Sequence, residues 1–283
     1  MKYKIFEILK RGKLVLRDHG IEVFALEAEL LLAKLVCQNS RERLLALSDS
    51  EVDGNIEKEF FNLIERRIQN EPISQILGKK EFWDYEFIVD SSVLTPRNDT
   101  ETIIEQVIKY FSDKEAELNI LDLGTGSGCL SVTLAAIFSN AKITAIDISP
   151  AALKIAKQNA VKNIVDNRIA FIKSDWFSKV SKRTYDIIVC NPPYISINEL
   201  KELANEVKDF EPQIALTDFA DGYTYYKIIA DEMRDYLKQS GKAFFEIGID
   251  QALSVKEIFE LQGYRVENIA KDLAGIERCV VIS

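Results

Sequence analysis

The chain has 283 residues, enough for one large domain or two unequal ones, and 47% hydrophobic against 29% charged residues with 12 Gly and 6 Pro excludes disordered and fibrous classes. Forty-five acidic against 36 basic residues give a formal net charge of -9, which repels a phosphate backbone unless basic residues gather on one face, so stable binding to nucleic acid is not expected. No stretch reaches the apolar length of a membrane span and the first residues lack the apolar run of a secretion signal, so a cytoplasmic protein with no membrane contact is expected.

Cys37, Cys129, Cys190 and Cys279 stand far apart without paired spacing, which argues against zinc ribbons and redox pairs, and no metal site is expected. With His19 the only histidine, a hydrolytic triad is not expected either.

From Tyr3 to about Asn70 apolar residues recur at helical spacing, as in Ala28, Leu31, Leu32 and Leu35 and again in Ile56, Phe60, Leu63, Ile64 and Ile68. Residues 1–77 therefore read as a helical N-terminal domain. At Glu81 the period changes: Phe82, Trp83, Tyr85, Phe87 and Val89 interleave with Asp84 and Glu86, the pattern of a β-hairpin, and residues 78–95 read as a linker. Past Pro96, Asn98 to Glu101 offers a cap and an acidic first turn for a helix through Ile103, Ile104, Val107 and Tyr110. Strands are expected at 118–123, 142–147, 168–173, 185–190, 242–247 and 278–282. They alternate with helices from about Cys129, over 151–162 and near 255–262. This is the pattern of an α/β domain over 96–283, a mostly parallel sheet with helices on both faces. Residues 196–221 show no period.

The first of these strands ends in Leu121-Asp122-Leu123-Gly124-Thr125-Gly126-Ser127-Gly128, where glycines let backbone N–H groups and a helix N-terminus approach a ligand closely. By itself the loop could be a plain strand-to-helix turn. A dinucleotide fingerprint would place its last glycine at position 129, where Cys129 stands, so hydride transfer is disfavoured. Asp147 closes the second strand, where a carboxylate can accept both ribose hydroxyl hydrogens. Asp175 and Trp176 close the third, placed to bond an adenine amine and to pack on its ring, although a helix cap and a core aromatic are equally open there.

The strand 185–190 runs into Asn191-Pro192-Pro193-Tyr194. Two prolines fix the backbone and remove two N–H donors, leaving neighbouring carbonyls and the Asn191 side-chain oxygen as acceptors. That set suits a planar NH₂ group, whose nitrogen is helped to rehybridise toward an electrophilic methyl when both its hydrogens are accepted. Tyr194 offers an aromatic wall. Asn191, Pro192 and Tyr194 are accordingly the expected catalytic residues, and Asn191, Pro192, Pro193 and Tyr194 the expected substrate contacts. Cys190, with no histidine to activate it, reads as a buried strand residue.

Together these residues resemble the seven-stranded S-adenosylmethionine methyltransferases, and the branch whose Asn-Pro-Pro-Tyr acts on planar nitrogens. Gly78, Glu81, Phe82, Phe87, Val89, Val93, Leu94, Pro96, Arg97, Asp99, Thr100 and Glu101, with Asp272 to Gly275 before Arg278, resemble the signature of the HemK/PrmC family of peptide chain release factor glutamine methyltransferases. Asp84, Asn98 and Asp218-Phe219-Ala220 depart from that signature. The resemblance implies a Rossmann-like methyltransferase domain preceded by a helical substrate-recognition domain and a hairpin linker. It implies S-adenosyl-L-methionine as cofactor, held by Gly124, Thr125, Gly126, Ser127, Gly128, Asp147, Trp176 and Asn191, to which the reading of the third strand adds Asp175. The implied reaction is methyl transfer by in-line displacement to the glutamine amide of the Gly-Gly-Gln motif in release factors. Arg97 and Glu101 are implied at the cleft rim, where the residues alone would accept a surface ion pair. Two other readings stay open: methylation of an exocyclic amine of adenine or guanine in nucleic acid, and a cofactor-binding interaction protein without catalysis.

Overall fold

A computed structural model describes residues 2–182 and 184–283. The chain forms two compact units, one of the residues up to Lys79 together with Ala204–Phe210, the other of Lys80–Leu203 and Glu211–Ser283.

The first unit opens with strand β1 (Lys2–Lys4), followed by α1 (Ile5–Asp18), α2 (Phe24–Val36), α3 (Arg41–Ala46), β2 (Glu51–Asp53), α4 (Gly54–Ile68) and α5 (Ile73–Leu77). Ile5, Ile8, Leu9 and Leu16 of α1 meet Leu31 and Leu32 of α2 and Phe60 and Ile64 of α4 in one core, each set spaced to fall on one helix face. Gly12 is required there: a Cβ would stand 2.4 Å from the Phe60 ring. Asp53 caps α4 by accepting the Asn55 and Ile56 N–H groups. The antiparallel ribbon of β1 and β2 departs from an all-helical expectation, because three-residue strands are too short to show alternation.

In the second unit a hairpin of β3 (Lys79–Phe82) and β4 (Tyr85–Ile88) leads through a 3₁₀ turn, Asn98–Thr100, into α6 (Glu101–Tyr110). Neither Asn98 nor Thr100 caps α6 with its side chain, so the helix begins later than the sequence predicts. The rest alternates: β5 (Asn119–Leu123), α7 (Cys129–Ile137), β6 (Lys142–Asp147), α8 (Pro150–Lys162), β7 (Ile169–Lys173), β8 (Tyr185–Cys190), then, after the helical turn α9 (Asn205–Lys208) that belongs to the first unit, α10 (Thr224–Glu232), β9 (Leu237–Glu246), α11 (Ala252–Leu261), β10 (Val266–Lys271) and β11 (Glu277–Ile282).

The seven strands run in the order β10-β11-β9-β8-β5-β6-β7, with β11 antiparallel to both its neighbours and the pairs from β9 to β7 parallel. Alternation assigns the two faces: Ile187 and Val189 of β8 pack with α6 and α7, whereas Ile188 and Cys190 pack with α10 and α11. Two strands differ from expectation. Strand β10 escapes the sequence pattern because it is an edge strand whose Glu267, Asn268 and Lys271 dilute the apolar signal. Strand β9 starts at Leu237, ahead of the expected Lys242, through the polar stretch Lys238 to Gly241. No helix among the described residues is long and apolar enough to cross a membrane.

Candidate active site

Strand order reverses between β5 and β8, and a cleft opens beyond the carboxyl ends of the parallel strands, the crevice where open α/β sheets bind ligands. It encloses about 1060 Å³ of empty space, counting the part open to solvent. The loop after β5 forms its floor. Gly124, Gly126 and Gly128 have φ of 73°, 55° and 82°, values that favour glycine. A Cβ on Gly128 would stand 3.1 Å from that of Ala156, so this glycine lets α7 approach α8.

Asp147, at the end of β6, stitches the loop in place: Oδ2 accepts the Gly126 N–H at 2.9 Å and Oδ1 accepts the Ser149 N–H at 2.8 Å. Burial pushes its pKa up against those two bonds. Beneath the loop, Asp122 Oδ2 accepts the Thr125 hydroxyl at 2.6 Å and also the Ser131 hydroxyl. Its Oδ1 is buried without a partner among the described residues, and burial raises its pKa to about 6.

One side of the cleft is aromatic. Trp176 takes a left-handed φ of 42° and lies 4.9 Å from the Tyr225 ring at an interplanar angle of 48°. The turn is held by Ser174, whose hydroxyl donates to the Trp176 carbonyl and accepts the Lys179 N–H. Asp175 is exposed and caps nothing.

On the opposite side stands Asn191, half-buried after β8. Its Nδ2 donates to Thr100 Oγ1 at 3.2 Å, which leaves the carbonyl oxygen as the free end of the amide. Tyr194 donates its phenol to Glu246 Oε1 at 3.1 Å, and its backbone is clamped from two sides: Gln251 Nε2 donates to its carbonyl at 2.9 Å, and a Cβ on Gly222 would come within 2.5 Å of that oxygen. Burial lifts the Tyr194 phenol well above its ordinary pKa.

Gly124, Thr125, Gly126, Ser127, Asp147, Asp175, Trp176, Asn191 and Pro193 thus line one cleft. Gly128, Pro192 and Tyr194 are not among its lining residues: Gly128 faces α8, Pro192 is buried, and Tyr194 packs against the core below α10. Arg97 lines the cleft and is paired with Glu211 at 2.6 Å. Glu101 instead accepts the Trp83 N–H at 2.7 Å and ties the hairpin to α6. Sequence reasoning missed Thr100, Tyr225 and Glu246. Thr100 stood in the signature quoted above without a role of its own, and Glu246 had a signal as an acid at the end of the apolar run Ala243-Phe244-Phe245. No group of three or more His, Cys, Asp or Glu side chains among the described residues is placed to hold a metal.

Residues 100–207 match the family model of the methyltransferase small domain, and residues 7–78 match that of the PrmC N-terminal domain. The fold is shared with a methyltransferase from Pyrococcus furiosus, with a TM-score of 0.53 at 19% identity over 78% of this chain and 97% of that one. Sheet order and cleft are those of the Rossmann-like methyltransferase fold. The chain is 42% identical, over its whole length, to a bifunctional methyltransferase of Rickettsia bellii, of which it covers 55%, so it spans little more than half of that relative. It is also 36% identical to the release factor glutamine methyltransferase of Fusobacterium nucleatum, over 99% of this chain and 79% of that protein. The chain belongs to the release factor glutamine methyltransferase family.

Proposed function

We propose that the protein methylates the side-chain amide nitrogen of the glutamine in the Gly-Gly-Gln motif of peptide chain release factors, acting in the cytoplasm. One observation carries this reading: Asn191 is anchored through its NH₂ group to Thr100, so its oxygen is the end presented at the cleft. An outward acceptor selects a substrate that donates, as an amide NH₂ does.

The cleft fits S-adenosylmethionine in size and chemistry. A Cβ on Gly124 would meet nothing within 4 Å, so open space lies above the loop. The Asp147 oxygens each accept one backbone N–H and keep lone pairs for ribose hydroxyls. Trp176 and Tyr225 supply apolar faces for an adenine ring, and Asp175 an exposed acceptor for its amine. Gly124, Thr125, Gly126 and Ser127 would cradle the methionine end, with Gly128 shaping the turn. When bound, the cofactor supplies an electrophilic methyl group on a sulfonium sulfur.

The chain's own residues then have positional work. Asn191 accepts a hydrogen of the substrate NH₂ and orients the nitrogen; as the nitrogen pyramidalises that bond strengthens, which lowers the barrier. Pro192 and Pro193 remove donors that would compete for the same acceptors, and Tyr194 fixes the turn from below. The displaced proton leaves to water. Recognition of the release factor falls to the N-terminal unit, where Phe6 and Leu14 stay 43% and 39% exposed. A net charge of -9 weighs against the nucleic-acid reading.

Labelled S-adenosylmethionine offered with purified release factor, ribosomal RNA and DNA in parallel tests the proposal. Label is expected on the release factor and lost when its Gly-Gly-Gln glutamine is replaced. Label on RNA or DNA alone would overturn it.

A further inference from the structure

Glu246 ends β9 directly beside the end of β8, where Phe245 pairs in register with Cys190. It is 1% exposed and does not line the cleft. Its carboxyl group faces two hydroxyls that belong to the Asn191 wall. The Tyr194 phenol donates to Oε1, and the Thr100 hydroxyl, which accepts from Asn191, also favours the charged form of Glu246. Oε2 is buried with no hydrogen-bond partner among the described residues. A buried carboxylate oxygen without a donor is costly and calls for an explanation.

A hydroxyl has one hydrogen to give, whereas an ionised carboxylate can only accept. With Glu246 ionised, Thr100 and Tyr194 turn their hydrogens toward it, and Thr100 must then receive from Asn191, whose oxygen is left facing out. With Glu246 protonated, its own hydrogen can go to Thr100. Thr100 can in turn donate to the Asn191 oxygen, which exposes the Asn191 NH₂ group instead, and a donor facing a donor repels the substrate nitrogen.

We propose that Glu246 is a positioning residue of the methyl-transfer site, whose ionised carboxylate sets the direction of the Thr100 and Tyr194 hydroxyls and thereby keeps the Asn191 oxygen turned toward the substrate nitrogen. The proposal rests on the reading of Asn191 as acceptor for an amide nitrogen. It gives the site a protonation switch within the range of cellular pH.

The surroundings of Glu246 come from every element around it. Arg278 of β11 favours its charge, and Asp99 of the 3₁₀ turn opposes it. Arg278 is itself shared with Asp99 at 3.1 Å and Asp272 at 3.2 Å. Tyr226 of α10 donates to the Glu246 backbone carbonyl at 2.7 Å. Cys190 of β8 and Cys279 of β11 are buried thiols and Cys129 of α7 is a half-buried one; desolvation, then Asp122 for Cys129 and Cys190, and Glu246 for all three push their pKa values up, so they stay neutral. Burial outweighs the favourable groups and raises the Glu246 carboxyl to about 7.

The test is the pH dependence of kcat on a release factor substrate at saturating cofactor, for wild type, Glu246→Gln and Glu246→Asp. It is paired with NMR of the carboxyl carbon of Glu246 and of the Asn191 side-chain NH₂ resonances in the full chain. Wild type is expected to lose activity on the acid side with a midpoint near the Glu246 ionisation. The Gln variant should lose kcat by on the order of a hundredfold, the cost of misaligning a reacting group by ~1 Å, with KM within about twofold of wild type and no acid limb. Asp should restore part of the rate together with the limb. The Asn191 resonances should shift with the same midpoint as the Glu246 carbon. A Gln variant that keeps the acid limb, or Asn191 resonances that ignore the Glu246 titration, would overturn the inference. If the Asn191 resonances follow Glu246 while wild type methylates no release factor, the substrate reading fails and the positioning role stands.

Discussion

Asn159 gives the sharpest test of how the glycine loop is held. The residue sits on α8 and is fully buried. Its Oδ1 accepts the Ile88 N–H at 2.6 Å, while Nδ2 donates to the Ile88 carbonyl at 3.0 Å and the Ser127 carbonyl at 2.9 Å. One amide therefore joins the hairpin strand β4 to the glycine loop and satisfies three backbone groups. Asn159→Ala leaves all three without partners. At about 1 kcal/mol each, the lower end for a buried unsatisfied group, the loss is about 3 kcal/mol, and water reaching the cavity should keep it below about 5 kcal/mol. Asn159→Asp is predicted to be worse at neutral pH, because a carboxylate accepts the Ile88 N–H but meets two carbonyl oxygens with no hydrogen to offer. That variant should recover relative to Ala as the pH falls and the new acid gains a proton. Urea unfolding followed by circular dichroism at two pH values measures both. A loss under about 1 kcal/mol for Ala, or an Asp variant equal to wild type, would refute the argument that these contacts hold the loop.

Three further outcomes follow from the site. Asp147→Asn should weaken S-adenosylmethionine binding by about 1.5 to 3 kcal/mol, the worth of a hydrogen bond to a charged group; unchanged calorimetric affinity would move the ribose contact elsewhere. Asn191→Ala should lower single-turnover methyl transfer by on the order of a hundredfold to a thousandfold, and a rate within about threefold of wild type would remove Asn191 from the mechanism. Wild-type stability should fall as the pH rises from 4.5, the ordinary value for Glu246, through its raised value of about 7, because the folded state binds the proton more tightly. The share due to this group is about 3 kcal/mol. Glu246→Gln should lack that slope, and parallel curves for the two proteins in thermal or urea unfolding would contradict the sign.

Features carried by local sequence were legible. The glycine loop, the hairpin and the Asn-Pro-Pro-Tyr turn each consist of adjacent residues whose backbone demands show in their composition, and the parallel strands show as apolar runs. What escaped was assembled across the chain. Thr100 reads as part of a helix start and Glu246 as a flaw in an apolar strand; only the sheet order brings both to Asn191. Tyr225 belongs to a helix whose sequence gives no hint that it meets Trp176. Residues 204–210 show no period because they depend on the first unit, where Arg67 stands 3.2 Å from Glu206 and Gln75 donates to the Phe210 carbonyl at 3.0 Å.

That last arrangement bears on how the protein is made. A ribosome releases the helices α1 to α5 early, yet the partners of Arg67 and Gln75 emerge only after β5 to β8 have been synthesised. The nascent N-terminal unit holds Arg67 against Glu27 and the Glu71 carbonyl until Glu206 and Phe210 arrive, so its last contacts form while the following unit is already taking shape. Folding of the two units is interleaved in time, although their cores are separate.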